Sequence, residues 1–189
     1  MGTRGSVATH GPPFILGMRP DHSGNRLRQA LGAAAMTLCL LAMPLPGAPS
    51  QGAADDFQRV ADQALQAMSK RAEDLRIQGV AVVAYIPEDT PRSWSSKMIV
   101  VGKMKNPPAG DNRGANLLAI AYTKAAEMAE TLKDSGTTGR PPMTGETGWQ
   151  GGLIRKVRQG YVLAAFSGGP SEADVKVSRA GLEVLAANW

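Results

Sequence analysis

The chain has 189 residues, 43% hydrophobic and 20% charged, with 22 Gly, 13 Pro, one Cys and two His. That is apolar enough for one ordinary domain and rules out wholesale disorder. A single Cys excludes an internal disulfide framework and a Cys-based zinc cluster, while the formal charge of +5 invites a nucleic-acid reading.

Ala30 to Leu45 reads ALGAAAMTLCLLAMPL, an uncharged apolar run. Arg19, Arg26 and Arg28 precede it, and Pro46-Gly47-Ala48-Pro49 follows. Basic flank, short apolar run and small residues predict a Sec-type signal peptide, and hence a periplasmic or secreted protein. The run is shorter than the roughly 20 residues of a membrane span, and its apolar character goes all the way round, unlike a core helix. Cleavage after Ala54 fits best, with Gly52 and Ala54 at the two small-residue positions; a cut after Ala48 would leave Pro49 next. Leu27 separates Arg26 from Arg28, so a twin-arginine signal is absent. Cys39 follows Met36-Thr37-Leu38, which does not suit a lipoprotein anchor. Met18 is an alternative start to Met1. The expected division is therefore residues 1–54 as extension and cleavable leader, and 55–189 as the mature domain, with no membrane span after processing.

The leader holds four Arg and one Asp, so it removes three of the five net charges and leaves 17 basic and 15 acidic residues. His10, His22 and Cys39 leave with it. A mature net charge of +2 with few aromatics among the basic residues gives little support to nucleic-acid binding.

In the mature part, Phe57, Val60, Ala61, Ala64, Leu65, Met68, Ala72 and Leu75 recur at helical spacing. Asp55 or Asp56 suits the cap of this first helix, and Gly79 a left-handed end. Val80 to Ile86 reads as a buried strand, Glu88 to Ser96 as a loop, and Lys97 to Met104 as a second strand. Asn106 to Gly114 forms a connection, Ala115 to Ser135 a second helix closed by Gly136, and Thr137 to Gly148 an irregular surface excursion. Gly152–Arg158 and Tyr161–Ser167 form a hairpin around Gln159-Gly160. A third helix runs from Ser171 to Asn188, where Ser171 and Asp174 have capping-box spacing. This order predicts an α+β domain with an antiparallel sheet and helices on its faces.

Three features carry chemistry. Ser167-Gly168-Gly169-Pro170-Ser171 passes from strand to helix; it can hold an anion on free backbone N–H groups, or serve only as a tight turn, since it lacks the phosphate-loop and dinucleotide endings. Arg155, with Lys156 and Arg158, offers either an anion partner or a solvated strand face. Lys124 lies on the apolar side of the second helix, where it either holds a ligand anion or has a lowered pKa, or else packs its stem while its amine reaches water. No His remains for triad catalysis, and the acidic pairs Asp55-Asp56 and Glu88-Asp89 sit on a terminus and a loop. No catalytic residues are assigned.

From Phe57 to Leu185 the chain resembles the GlcG/HbpS family of haem-binding and haem-degrading domains. The matching features are Gly79-Val80-Ala81-Val82, Gly102-Lys103-Met104 and Tyr122-Thr123-Lys124-Ala125-Ala126, then Gly151-Gly152, Ser167-Gly168-Gly169, Asp174 and Ala180-Gly181-Leu182. The resemblance implies a three-layer, profilin-like α/β/α fold with about five antiparallel strands, and an oligomer. It also implies haem, or another small ligand, and an accessory sensor role with an envelope partner. An oligomeric interaction module, or a protein of small organic acid metabolism, are the alternatives. The departure is in the ligands: haem iron is held by His, Cys, Met or Tyr, and the mature chain has only Met68, Met98, Met104, Met128, Met143, Tyr85, Tyr122 and Tyr161. Met104 and Tyr122 lie in or beside matching segments and are the candidate iron ligands; the alternative is haem in an apolar pocket with its propionates on Arg155 or Lys124 and no strong protein ligand. The candidate binding residues are thus Met104, Tyr122, Lys124, Arg155, Gly168 and Gly169; no metal site beyond haem is expected.

Overall fold

The protein is described by a computed structural model over residues 51–189. The signal-peptide expectation lies outside the described residues. Helix α1 spans Gln51–Asp74, followed by β1 (Gly79–Ile86) and β2 (Ser95–Val101). A two-residue pair, β3 (Lys105–Asn106) and β4 (Ala115–Asn116), leads into α2 (Leu117–Thr131). The hairpin β5 (Gly152–Val157) and β6 (Gly160–Ser167) precedes α3 (Ser171–Ala187).

The main sheet has the order β2-β1-β6-β5, and every neighbouring pair is antiparallel. It therefore has four strands, with β3–β4 as a separate ribbon rather than a fifth member. β1 is buried along its whole length because both its faces are covered. Ala81, Val83 and Tyr85 join Val162, Ala164 and Phe166 of β6 beneath α1 and α3. Val80, Val82, Ala84 and Ile86 join Leu163 and Ala165 beneath α2. This is the three-layer α/β/α arrangement of the α+β class. An unbroken apolar run such as VAVVAYI is what a central strand buried on both faces requires.

Several boundaries differ from expectation, each for a local reason. α1 continues through Asp55 and Asp56 from Gln51, so neither caps its start. Its end is turned by Arg76 in the left-handed region (φ 55°), not by Gly79. The bond from Ile77 N–H to the Ala72 carbonyl (3.0 Å) closes that turn. Gly79 opens β1 instead, where an added Cβ would collide with the Ser167 carbonyl. β2 stops at Val101 because Gly102 turns away at φ 76°. Asn116 caps α2 by accepting from Ala119 N–H at 3.0 Å, and Leu132 rather than Gly136 ends it in the left-handed region. The capping box of α3 does not form: Pro170 is the cap, and Asp174 turns inward.

Candidate functional site

The polar centre of the domain lies where α2, the end of β6 and the start of α3 meet. Lys124 projects from the sheet side of α2 and is only 2% exposed. Its Nζ donates to the Phe166 carbonyl (2.8 Å) and to Asp174 Oδ2 (2.9 Å). The Gly169 N–H donates to Asp174 Oδ1 at 2.9 Å. The ammonium thus neither reaches water nor stands free for a ligand anion, which corrects both readings of Lys124 from sequence: the apolar face of α2 leaves it only Asp174 as counter-charge. Burial pushes the Asp174 carboxyl above its usual range, while the Lys124 ammonium and the Gly169 N–H pull it back.

Glycine makes the junction possible. At Gly168 a Cβ would run into the Gln78 carbonyl, so β6 leaves the sheet hard against the chain entering β1. At Gly151 the backbone adopts φ 132° and a Cβ would strike the Lys124 amine. The Gly151 carbonyl accepts from Ser178 Oγ (2.6 Å) and from Phe166 N–H (3.1 Å), which ties this turn to α3 and β6.

Above this ion pair is a small cleft of about 190 Å³. Lys124, Asp174, Gly168 and Gly169 line it, with Asn106, Trp149, Gln150 and Ser171 around them. Its lining combines a neutralised ion pair with the amide side chains of Asn106 and Gln150, the Ser171 hydroxyl and the indole of Trp149, which is 55% exposed; the Gly169 N–H is already taken by Asp174. This arrangement can hold a small polar molecule carrying an acceptor such as a carboxylate. It contains no nucleophile paired with a base.

Three of the six residues singled out from sequence, Lys124, Gly168 and Gly169, are therefore brought together. The other three are not. Met104 is 46% exposed next to the β3–β4 ribbon, its carbonyl accepting from Leu117 N–H. Tyr122 tilts against Trp94, with ring centroids 6.5 Å apart. Arg155 is exposed on edge strand β5, opposite Val162 and hence on the α1/α3 side. Sequence reasoning missed Trp149 and Gln150, which fall in an irregular segment with no periodicity to mark them.

A second, more apolar groove of about 510 Å³ lies beside Trp94, lined by Ile86, Pro91, Arg92, Ala126, Ala129 and Glu130. That volume falls in the range of small-molecule pockets. Its lining holds no His, Cys, Met or Tyr, and Met104 and Tyr122 do not converge on either cleft. A haem site with iron ligated by the protein does not fit these residues. Among the described residues there is also no group of three or more His, Cys, Asp or Glu placed to hold a metal ion, and no helix long and apolar enough to cross a membrane.

No family model matches the sequence, and no curated protein does either. Among solved structures the chain is similar to Klebsiella pneumoniae protein ORFY, of family model DUF336. The TM-score is 0.49 and the identity 17%, over 68% of this chain and 89% of that one.

Proposed function

We propose that this chain is an exported, GlcG/HbpS-like binding domain whose ligand is a small molecule bearing a carboxylate or similar acceptor. The observation that carries the reading is the convergence of Lys124, Asp174 and the Gly168-Gly169 turn under the rim of Trp149 and Ser171. The buried pair ties α2 to α3 beside the turn, so the polar groups lining the cleft are held in place before a ligand arrives. Pre-organisation of this kind lowers the ordering cost of binding.

The test is a fluorescence titration of the purified protein with a panel of small hydroxy and keto acids. A saturable change that disappears in Trp149→Phe is expected. No change with any acid at millimolar concentration would remove the reading. Assaying the same mixtures for product addresses the organic-acid enzyme alternative, for which no turnover is expected.

Haem stands as a second reading, favoured by the size and apolar lining of the Trp94 groove. There a porphyrin would lie against Trp94 with a propionate near Arg92, and no side chain of this groove would ligate iron. Titration with hemin reads this out as a Soret shift lost in Trp94→Ala; an unchanged spectrum ends the haem reading and leaves the acid-binding one untouched.

A further inference from the structure

Glu127 is buried close to the cleft, yet nothing described so far uses it. It stands on α2 one turn beyond Lys124 and is only 1% exposed. Its Oε1 accepts from the Gly136 N–H at 2.8 Å, but Oε2 has no partner among the described residues. A buried carboxyl oxygen without a donor is costly, and such an atom needs a specific reason. The cations of this region are already committed. Lys124 Nζ donates to Phe166 and Asp174, and Arg140 donates to Glu130 and Glu146.

Beside this carboxyl runs the stretch of chain that carries Trp149 and Gln150. A Cβ on Gly136 would stand 2.8 Å from the Gln150 nitrogen and 2.9 Å from the Gly148 carbonyl oxygen. The glycine that Glu127 holds is therefore packed directly against residues 148–150. Among the described residues the Gln150 N–H has no acceptor. An unpaired donor and an unpaired acceptor thus both adjoin Gly136. The stretch is also lightly held. Arg140 fixes Glu146 on one side of it, and Ser178 Oγ and Phe166 N–H fix Gly151 on the other. Between these anchors the structure gives one bond, from Trp149 N–H to Thr147 Oγ1, long at 3.4 Å. Gly148 (φ 64°) and Gly151 (φ 132°) bracket Trp149-Gln150, and glycine lets both ends swing through backbone angles closed to other residues. Trp149 and Gln150 are exposed and line the cleft.

We infer that Trp149-Gln150 is a lid over the Lys124 cleft and that Glu127 is its latch. On closing, the Gln150 N–H reaches Glu127 Oε2 while the Trp149 indole turns down onto the bound acid. The carboxyl then holds Gly136 and Gln150 with one oxygen each. A bond made only in the closed form favours that form, and an acid that touches Trp149 shifts the balance the same way. Glu127 acts through the lid and is a positioning residue. The inference rests on the reading of this cleft as an acid-binding site.

Glu127→Gln tests it, because the amide keeps an oxygen for Gly136 and puts an NH2 group where Oε2 stood. Lactate is the probe, with the other hydroxy and keto acids run beside it, and fluorescence of the full chain reads binding. The variant is expected to bind about tenfold more weakly, through faster release. Hydrogen exchange followed by NMR gives a second readout that needs no variant. Saturating lactate should slow exchange of the Gln150 backbone amide about tenfold in the parent, and should not do so in E127Q. A merely structural Glu127 would lower the thermal midpoint of E127Q and leave its affinity and its lactate-induced protection unchanged, which overturns the lid. Saturable binding without protection of Gln150 in the parent also overturns it, and leaves the acid-binding reading standing. No fluorescence change with any acid removes that reading and the lid together.

Discussion

Lys124 and Asp174 are each at most 4% exposed at the side chain, and their charges are worth keeping in the interior only as a pair. Removing one partner leaves the other ionised and dry. Lys124→Met should therefore cost about 3–5 kcal/mol in urea unfolding, and the double variant K124M/D174N should be more stable than K124M alone. A double variant as weak as the sum of the two singles would mean that the pair is not coupled. The pH dependence has a definite sign. Burial holds the Asp174 carboxyl above its usual range, with Lys124 as the main opposing influence. Without Lys124 the folded state takes up the proton more readily than the unfolded chain. Stability of K124M then falls as pH rises through the window between the unfolded and the raised folded values. The gap between variant and parent should narrow as pH is lowered from 7 towards 5, read from urea midpoints at each pH. Half of this pair was legible in the sequence: a Lys among Ile120, Ala121 and Met128 is conspicuous on a helical stripe. Asp174 was not, because three residues after Ser171 it matches a capping box as well as it matches a buried partner. Only the fold, by placing α3 across the end of β6, distinguishes the two.

At the scale of elements, the segment 137–148 has neither helix nor strand and is held by one arginine. Arg140 donates to both oxygens of Glu146 (2.7 and 2.9 Å) and to Glu130 of α2 (2.7 Å), while Met143 N–H adds a further bond to Glu146. The Arg140 guanidinium holds the Glu146 carboxyl down to about 2. A depressed carboxyl contributes stability above its unfolded value, and that contribution is lost as pH falls through the folded one. The segment should stay tied at pH 4 and loosen as pH approaches 2. Glu146→Gln should loosen it at neutral pH: amide exchange within 137–148 should quicken about tenfold while the thermal midpoint barely moves, because local opening is uncoupled from the core. Unchanged exchange there would show that Pro141 and Pro142 alone shape the loop. The long elements were readable because each carries a period or an unbroken apolar run. The β3–β4 ribbon was not, since two residues per strand leave no pattern; its pairing depends on Gly102 turning the chain and Asn116 starting α2.

At the scale of the whole chain, the expected cleavage site falls close enough to the domain's core to make the export reading testable. Phe57 is the first core residue among the described side chains, fully buried, stacked on Tyr85 at 6.5 Å and edge-on to Trp189 at 6.2 Å. Any processing that spares the fold must cut before it. The expected cut after Ala54 does so, and it also shortens α1 to begin at Asp55-Asp56. The helix as described has no acidic residue in its first turn; the shortened one gains two, where negative charge favours a helix start. Cleavage there trims the N-terminal residues of α1 while leaving every core contact from Phe57 onward. N-terminal sequencing of the protein recovered from the envelope or medium of its own host should therefore read Asp-Asp-Phe. A cut beyond Phe57 would break the aromatic cluster that joins both ends of the domain. Recovery of the intact chain from the cytoplasm alone would remove the export reading.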